Sequence, residues 1–359
     1  MRPVLVVNAG STSTKLRVVA EGGAVENIES LAAARSLRVE GVGHRIVHGG
    51  SAFLEPVLID ESVRRRILAL EPLAPLHNRP ALAALAAAEE SFPHVPHVAV
   101  FDSAFHATMP EEAAAYALPA AWREGWGIRR YGFHGISVAW CAERAPSLMG
   151  RSAAGLRLVV CHLGGGCSVT AVRAGSSVDT TMGFTPLEGV PMESRSGSVD
   201  PGALIYLLRE HGLSVDELDD ALNEKSGLKG LSGRSGDVRE LESLVAGGDE
   251  PARLALAVYA HRIAAAVGAM TTALGGLDAL AFTAGVGEHS AQVRAAVCGR
   301  LAFLGIELDA VANTNREGDA DVAAPDSLVR VLVVTAREEL VIAREVRRLL
   351  DGGDRLAAS

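Results

Sequence analysis

The chain has 359 residues, of which 48% are hydrophobic and 4% aromatic, and its formal net charge at pH 7 is −9. This length and hydrophobicity predict a folded protein of two domains and exclude a disordered chain. The negative net charge argues against a nucleic-acid partner or a membrane surface, although local arginines still allow a small anionic ligand. The N-terminus shows no signal-peptide pattern, so a cytoplasmic protein is expected.

The first predicted elements are a strand, a tight turn and a second strand. Residues 4–7 and 16–19 are apolar runs on either side of residues 8–15, a segment rich in glycine and hydroxyl side chains. Backbone N–H groups in such a turn bind phosphate, but Asn, Gly and Ser also favour turns for conformational reasons alone. The P-loop pattern GxxxxGK[ST] is absent. Both interpretations of this turn stay open.

Three polar residues of the first half are candidates for chemistry. Arg45 precedes a glycine pair and is either a surface ion-pair partner or a bidentate clamp for a carboxylate or phosphate. Asp102 follows the apolar run 98–101 and is either a helix N-cap or a catalytic carboxylate, since α/β sites collect at strand ends. His134 lies between two glycines, which suits either a hydrogen-bonded loop residue or a group that a ligand approaches closely.

A second hairpin resembles the first. Residues 157–161 and 169–173 are mostly apolar and flank the glycines of residues 164–166. The repeat predicts two domains of similar topology across a cleft, each contributing a phosphate turn. The predicted boundaries are 1–152 for the domain on the acid-substrate side and 153–359 for the nucleotide-binding domain, with the last helix packing back on the first domain.

The remaining predicted elements alternate between helix and strand, which indicates the α/β class. Helices are expected at 60–70 (with Asp60 as N-cap), 79–90, 201–211, 250–274, 288–304 and 338–351, and strands at 277–282 and 329–334. Residues 226–239 are polar and glycine-rich and are predicted to form a loop.

Two further candidates lie in the second half. Arg195, in a long irregular stretch, is a second anion clamp. Glu338 opens the last helix, where an acidic residue favours the macrodipole or binds Mg²⁺. Together with the glycine turns, these residues suit phosphoryl transfer to a small anionic acceptor, because positioning and charge neutralisation dominate that chemistry.

The motifs, in this order, resemble those of the acetate kinase family, which belongs to the superfamily of sugar kinases, Hsp70 and actin. The matching runs extend over nearly the whole chain and are residues 8–11, 43–50, 74–78, 101–110, 131–135, 182–189, 195–197, 282–288 and 338–344. The resemblance implies two similar α/β domains of ribonuclease-H-like topology facing a nucleotide cleft. It also implies a cytoplasmic, homodimeric kinase that uses Mg²⁺ and ATP or ADP to interconvert a short-chain carboxylate, such as acetate, and its acyl phosphate.

The resemblance further implies a role for each matching residue. Arg45 and Arg195 would hold the carboxylate and the moving phosphoryl group, His134 would stabilise the transition state, and Asp102 would be the catalytic carboxylate. The metal would lie near Asn8 and Glu338. The apolar pocket for the acid would comprise Val47, Leu76, Phe133 and Pro186. The nucleotide would be bound by Lys15, His162, Leu163, Gly164, Gly165, Gly166, Asp237, Val238, Arg239, Gly285, Val286, Gly287, Glu288 and His289.

The chain departs from the family pattern in several places. The segment between residues 15 and 43 is a few dozen residues shorter, Gly165 and His289 stand where the family usually has Asn, and Glu193 lies beside an anion clamp. Two alternatives to acetate kinase activity therefore stay open. One is a kinase for propionate or another short-chain acid, and the other is an ATP-binding protein of the same fold without kinase activity.

Overall fold

The computed structural model describes residues 3–9, 14–71 and 75–357, without the side chains of residues 75–77 and 353–357. The chain divides into two compact units. The first comprises Met1–Ala107, Phe133–Trp140 and Arg337–Ser359, and the second comprises Thr108–Gly132 and Cys141–Ala336. This division differs from a single boundary at residue 152, because segments from three parts of the chain build the first unit.

Each unit contains one sheet, which has six strands among the described residues. The strands of the first sheet are β1 (Val4–Ala9), β2 (Thr14–Val19), β3 (Val25–Ile28), β4 (Gly41–Ile46), β5 (Val57–Leu58) and β6 (His97–Phe101). The strands of the second are β7 (Arg157–Leu163), β8 (Cys167–Arg173), β9 (Ser176–Thr180), β10 (Ala279–Thr283), β11 (Ala320–Asp321) and β12 (Arg330–Val333).

The two sheets have the same topology. Their strand orders are β3-β2-β1-β4-β6-β5 and β9-β8-β7-β10-β12-β11. In both, the first three strands form an antiparallel meander, the next two run parallel to the first, and a short antiparallel strand completes the edge. The repeat confirms the predicted α/β class with two similar domains.

Helices occupy much of the remaining chain. Within the described residues they are α1 (Leu31–Ala34), α2 (Glu61–Ala69), α3 (Pro75–Ser91), α4 (Glu111–Ala114), α5 (Ala120–Trp126), α6 (Gly135–Met149), α7 (Pro201–Glu210), α8 (Val215–Glu224), α9 (Gly227–Ser232), α10 (Val238–Ala246), α11 (Glu250–Leu274), α12 (Ala284–His289), α13 (Ala291–Arg300), α14 (Ala310–Asn315) and α15 (Glu338–Ala357). The predicted N-cap is confirmed, since the Asp60 side chain accepts a hydrogen bond from the Val63 N–H.

The C-terminal helix α15 covers one face of the first sheet. Ile342 and Val346 of this helix are buried with Val6 of β1 in one apolar cluster. Two glycines of β4 permit the close approach, because a Cβ at Gly43 would lie 2.5 Å from Ile342 Cγ2 and one at Gly41 would lie 2.6 Å from Val346 Cγ1. Helix α3 contributes to two further apolar clusters with strands of the same sheet, and α2 contributes to one of them.

In the second unit, α11 is the core helix. It is the one helix of the described residues that is long and apolar enough to span a membrane. It contacts β7, β8 and β9, and Tyr259, Ile263 and Val267 are buried. These contacts place it in the core of the unit. All four cysteines of the chain are buried free thiols.

Two local predictions are wrong. Residues 226–239 are not one loop, because they contain α9 and the start of α10. Helix α9 packs on α11, and Asp237 caps α10 by accepting the Arg239 N–H, so tertiary packing and a cap outweigh the glycine-rich composition. The helix predicted at 288–304 is also not continuous, because Ala284–His289 forms the short helix α12, separate from α13.

Candidate functional site

Three predicted site residues lie at one edge of the first sheet. Asn8 is near the end of β1, Arg45 is near the end of β4, and Asp102 directly follows β6. These strands are parallel to one another, so their carboxyl ends meet at the same edge. This is where α/β proteins commonly bind ligands.

Arg45 is the centre of this group. Its Nε and Nη2 atoms donate to Asp102 Oδ2 at 3.0 and 2.5 Å, and its Nη1 atom donates to Asn8 Oδ1 at 3.2 Å. The Arg45 side chain is 13% exposed and that of Asp102 is fully buried. Charge-assisted hydrogen bonds of this kind hold a guanidinium in one orientation.

Helix α15 adds a second carboxylate to the group. Glu338 Oε2 accepts a hydrogen bond of 2.7 Å from Asn8 Nδ2 and lies 4.0 Å from Arg45 Nε. The next residue, Glu339, pairs with Arg17 of β2 at 2.5 Å, which ties the first turn of α15 to the sheet. The sequence-predicted residues Asn8, Arg45, Asp102 and Glu338 therefore form one connected network.

Burial and charge act against each other in this network. Burial raises the pKa of Asp102, and Glu338 raises it further, whereas Arg45 lowers it. Burial also opposes the charge of Arg45, but Asp102 and Glu338 raise its pKa above the ordinary value of arginine. The Arg45 guanidinium therefore stays positively charged. The other carboxylate oxygen of Asp102, Oδ1, is buried and has no hydrogen-bond partner among the described residues.

His134 directly precedes Gly135, whose backbone is hydrogen-bonded to that of Asp102. It has a φ of +59° and is 9% exposed, and the next residue, Gly135, begins α6 and donates its N–H to the Asp102 carbonyl at 3.0 Å. A left-handed backbone is uncommon for histidine and often marks a functional site. A Cβ at Gly135 would lie 2.1 Å from that same carbonyl oxygen.

Replacing Gly135 by alanine is therefore expected to destabilise the protein by about 1–3 kcal/mol, since the added methyl group cannot fit beside the Asp102 carbonyl. Urea unfolding measures the change in the free energy of unfolding. Gly268→Ala is the matched control, because nothing lies within 4 Å of a Cβ at this position in α11, and there alanine should be neutral or stabilising. Equal effects of the two substitutions would contradict the predicted clash.

The residues predicted to bind the apolar part of the acid are distributed over both units. Val47 and Phe133 are buried in the first unit, and the Phe133 carbonyl lies 2.9 Å from the ring nitrogen Nε2 of His106. Pro186 is buried in the second unit, where its carbonyl accepts a hydrogen bond of 2.8 Å from Arg195 Nη1. The side chain of Leu76 lies outside the described residues. A common pocket for these four residues stays a prediction.

A network of three side chains supports the segment around Pro186. Arg130 Nη2 donates to Glu188 Oε1 at 2.9 Å, and the Tyr116 hydroxyl donates to Glu188 Oε2. The same Tyr116 oxygen accepts the Phe184 N–H at 2.9 Å. These contacts fix residues on both sides of Pro186, and no sequence motif indicated them.

Arg195 differs from Arg45 in its surroundings. It is half-buried, forms no ion pair with any described residue, and donates to the Pro186 carbonyl at 2.8 Å. Burial lowers its pKa, while the carboxylate charges of Glu224 and Glu193 oppose that effect. A partly buried guanidinium that forms no ion pair with a described residue is suited to bind an anion.

A cavity of about 370 Å³ in the second unit contains many of the predicted nucleotide residues. Those that line it are Gly164, Gly165, Asp237, Val238, Arg239, Gly285, Val286 and His289. The sequence-based analysis missed Leu228, Gly236, Glu242 and Ser290 and gave Glu193 no role, although all five also line the cavity. Two of them, Leu228 and Gly236, lie in the segment wrongly predicted to be one loop.

Other predicted nucleotide residues do not line this cavity. His162 and Leu163 lie in β7, where Leu163 is fully buried, and Gly166 closes the hairpin by accepting the Gly164 N–H at 3.0 Å. Gly287 is buried in α12, and Glu288 accepts the Ala336 N–H at 3.0 Å. Lys15 is exposed and belongs to the first unit. Their contacts with a nucleotide stay predictions.

The second unit has a larger cavity, of about 730 Å³. Arg130, Glu188, Lys225 and Arg262 are among its lining residues, and none of the predicted site residues lines it. Arg130 is paired with Glu188, and Lys225 with Asp220. We therefore assign the candidate nucleotide site to the smaller cavity, because it contains the glycine turn.

Known proteins resemble this chain over most of its length. The family model described as "Acetokinase family" matches residues 23–344. The "Acetate kinase" of Nostoc punctiforme is 52% identical over 316 residues, which cover 88% of this chain and 78% of that protein. The crystal structure of Porphyromonas gingivalis acetate kinase has a TM-score of 0.86 and 35% identity, covering 98% of this chain and all of that one. The crystal structure of a propionate kinase from Francisella tularensis has a TM-score of 0.88 and 36% identity, and the match covers 97% of this chain and 100% of that one.

Proposed function

The chain belongs to the acetokinase family, and we propose that it transfers the terminal phosphoryl group of ATP reversibly to acetate, giving acetyl phosphate and ADP. The observation that carries this proposal is the position of Arg45. Three of its five N–H groups are used in the bonds to Asp102 and Asn8, and the other two donate to no described residue, which leaves them for an anion. The guanidinium is thus held in place and still able to bind a carboxylate.

Asp102 acts in this proposal by positioning Arg45. Acetate is already ionised at neutral pH, so the acceptor has no proton for a base to remove. Asp102 Oδ2 accepts two bonds from Arg45, and the carboxylate is fully buried. Arg45 would then hold the acetate carboxylate with one oxygen directed at the phosphorus atom, as an in-line transfer requires.

Asn8 and Glu338 fit a site for Mg²⁺. Both have a side-chain oxygen, the ligand type that Mg²⁺ prefers, and no group of three or more His, Cys, Asp or Glu residues suited to a metal occurs among the described residues. Mg²⁺ usually binds through one or two carboxylates together with phosphate oxygens, so a two-residue site is sufficient. The ion would neutralise phosphate charge when it is bound, and Asn8 and Glu338 would hold it directly or through water.

Arg195 and His134 would stabilise the charge of the phosphoryl group during transfer. Arg195 has no ion-pair partner among the described residues, so it can bind phosphate oxygens without first breaking a salt bridge. His134 is held in the left-handed conformation beside Gly135, which fixes its backbone before a substrate arrives. Such preorganised groups commonly contribute most of the rate enhancement in phosphoryl transfer.

The nucleotide would bind in the cavity of the second unit. The glycines at 164 and 165 allow phosphate oxygens to approach the backbone closely, and Asp237, Val238 and Arg239 form another part of the wall. Lys15, His162, Leu163, Gly166, Gly287 and Glu288 keep the roles that the family resemblance implies, as proposals.

Propionate is a second candidate substrate. The structural similarity to the Francisella propionate kinase favours it, and Val47 and Phe133 offer an apolar wall for an alkyl group, to which Leu76 and Pro186 would add. One methylene group in such a pocket changes the discrimination by only about 1–3 kcal/mol. The two acids are therefore close rivals.

We also propose that the protein is a cytoplasmic homodimer. The family resemblance supports this, and the second unit exposes several large apolar side chains that a second copy would bury. Among them are Ile205 and Tyr206 of α7, which are 48% and 56% exposed, and Leu254 of α11, which is 56% exposed.

The experiment is acyl-phosphate formation from ATP and Mg²⁺, trapped with hydroxylamine, with formate, acetate, propionate and butyrate. We expect a maximum of kcat/KM at acetate, with propionate second. A maximum at propionate would replace acetate by the second candidate. No product with any acid, in protein that binds ATP, would contradict the kinase proposal and favour an ATP-binding protein of the same fold.

A further inference from the structure

We propose that Glu193 makes nucleotide binding by the second unit depend on a divalent cation. The inference rests on the proposed function, because it concerns the cavity to which we assign the nucleotide. It goes further in giving a role to a residue that the motifs left without one. Glu193 would select the complex of nucleotide and metal over the free nucleotide.

The Glu193 carboxylate lies directly beside the phosphate turn. A Cβ at Gly165 would be 3.1 Å from Glu193 Oε2, so the carboxylate lies where a side chain at position 165 would begin. The backbone is held on both sides, since the Glu193 N–H donates to the Gly165 carbonyl at 3.3 Å and the Glu193 carbonyl accepts the Lys229 N–H at 3.0 Å. The backbone of Glu193 is therefore held beside the turn, and its exposed side chain extends from that position.

Gly236 provides the room for this arrangement. A Cβ there would lie 2.5 Å from both Glu193 Cγ and the Glu193 carbonyl oxygen. Glycines at 165 and 236 thus flank Glu193 on two sides, and a larger residue at either position would displace its side chain. The three positions form one packing unit in the wall of the cavity.

Glu193 also differs from the other carboxylates of this cavity in its contacts with the part of the chain that the structure describes. The lining contains three carboxylates, and among the described residues Asp237 pairs with Arg239 while Glu242 accepts a hydrogen bond from the Ser290 hydroxyl. The Glu193 carboxylate forms no hydrogen bond or ion pair with any described residue. Arg195, which does not line the cavity, attracts this charge from beyond ion-pair distance, so the carboxylate remains available to a cation on the nucleotide.

This charge has opposite consequences for the two forms of a nucleotide. Phosphate oxygens at the glycine turn would meet a carboxylate of like charge, and the repulsion would weaken binding of the free nucleotide. A divalent cation on the phosphates reduces that repulsion and is itself attracted by carboxylate oxygen. Glu193 should therefore widen the difference in affinity between metal-bound and metal-free nucleotide.

The test compares ADP binding by isothermal titration calorimetry in excess Mg²⁺ and in EDTA, with the full-length protein. The measured quantity is the dissociation constant for ADP in EDTA divided by the dissociation constant in excess Mg²⁺. We expect Glu193→Gln to reduce this ratio about tenfold, equivalent to about 1.4 kcal/mol. Glu193→Ala should change the ratio in the same direction, because both variants remove the charge. Glu250→Gln is the control, since this exposed residue lies in the same unit outside the cavity.

The outcomes separate this inference from the proposed function. A ratio that falls in both Glu193 variants and not in Glu250→Gln supports the role of Glu193. An unchanged or larger ratio, in variants that bind Mg²⁺–ADP and unfold at the wild-type temperature, overturns it and leaves the proposed function intact. A wild-type protein that binds ADP in neither condition overturns both.

Discussion

Arg45→Ala is expected to abolish most acetyl-phosphate formation and to destabilise the protein as well. The substitution removes the group proposed to bind acetate, and loss of one preorganised donor typically lowers kcat by about 10²–10³-fold. It also leaves Asp102, which is fully buried, without its counter-ion. Breaking a buried ion pair on one side costs about 3–5 kcal/mol. Hydroxylamine trapping measures the rate, and urea unfolding measures the stability.

Two further variants separate these effects. Arg45→Met combined with Asp102→Asn removes the unpaired charge, so stability should recover in large part while the rate stays low. Arg17→Ala breaks the neighbouring ion pair between β2 and Glu339 of α15 and should reduce stability without removing a proposed substrate ligand. If the double variant regained both stability and rate, Arg45 would have only a structural role.

Arg195→Ala is expected to produce an equally large loss of rate with little loss of stability. The Arg195 side chain forms no ion pair with a described residue. Its removal therefore leaves no buried carboxylate without a counter-ion. The free energy of unfolding should fall by only about 0.5–1 kcal/mol. This is the lower part of the range that one hydrogen bond contributes to stability. The rate of acetyl-phosphate formation at saturating acetate and ATP should fall about 10²–10³-fold.

The control for Arg195 is Arg209→Ala. Arg209 is an exposed arginine of α7 in the same unit and does not line the nucleotide cavity. This variant should keep the wild-type rate and stability. Near wild-type turnover in Arg195→Ala would rule out the proposed role of Arg195. The proposed role of Arg45 would not be affected by that result. The two arginines are thus distinguished by what removal of each does to stability.

The parts of the fold that depend on local pattern were predictable. The apolar runs before residues 8–15 and 164–166 predicted the paired hairpins, and the apolar run that ends at Phe101 predicted the place of Asp102 at the sheet edge. Apolar periodicity and strand-end position follow from neighbouring residues, so a single sequence contains them. The same holds for α11, which has the predicted bounds.

Contacts between distant residues were not predictable in this way. Asn8 and Glu338 are separated by 330 positions, and their hydrogen bond depends on how α15 docks against the sheet. Helix α9 forms in a glycine-rich segment because it packs on α11, and that contact leaves no local pattern. The room that Gly236 provides for Glu193 is likewise visible only in three dimensions. The residues missed in the cavity are of this kind.

The docking of α15 on the first sheet has a consequence for the order of events during protein synthesis. Strands β1, β2, β4 and β6 leave the ribosome well before Ile342 and Val346, which cover one face of that sheet. The second unit is complete at Ala336 and can bury its interior first. The first sheet therefore stays incomplete, with Gly41 and Gly43 uncovered, until α15 has been translated and can pack on it. Nascent chains that stop before residue 338 should consequently hold a folded second unit and an unfinished first one.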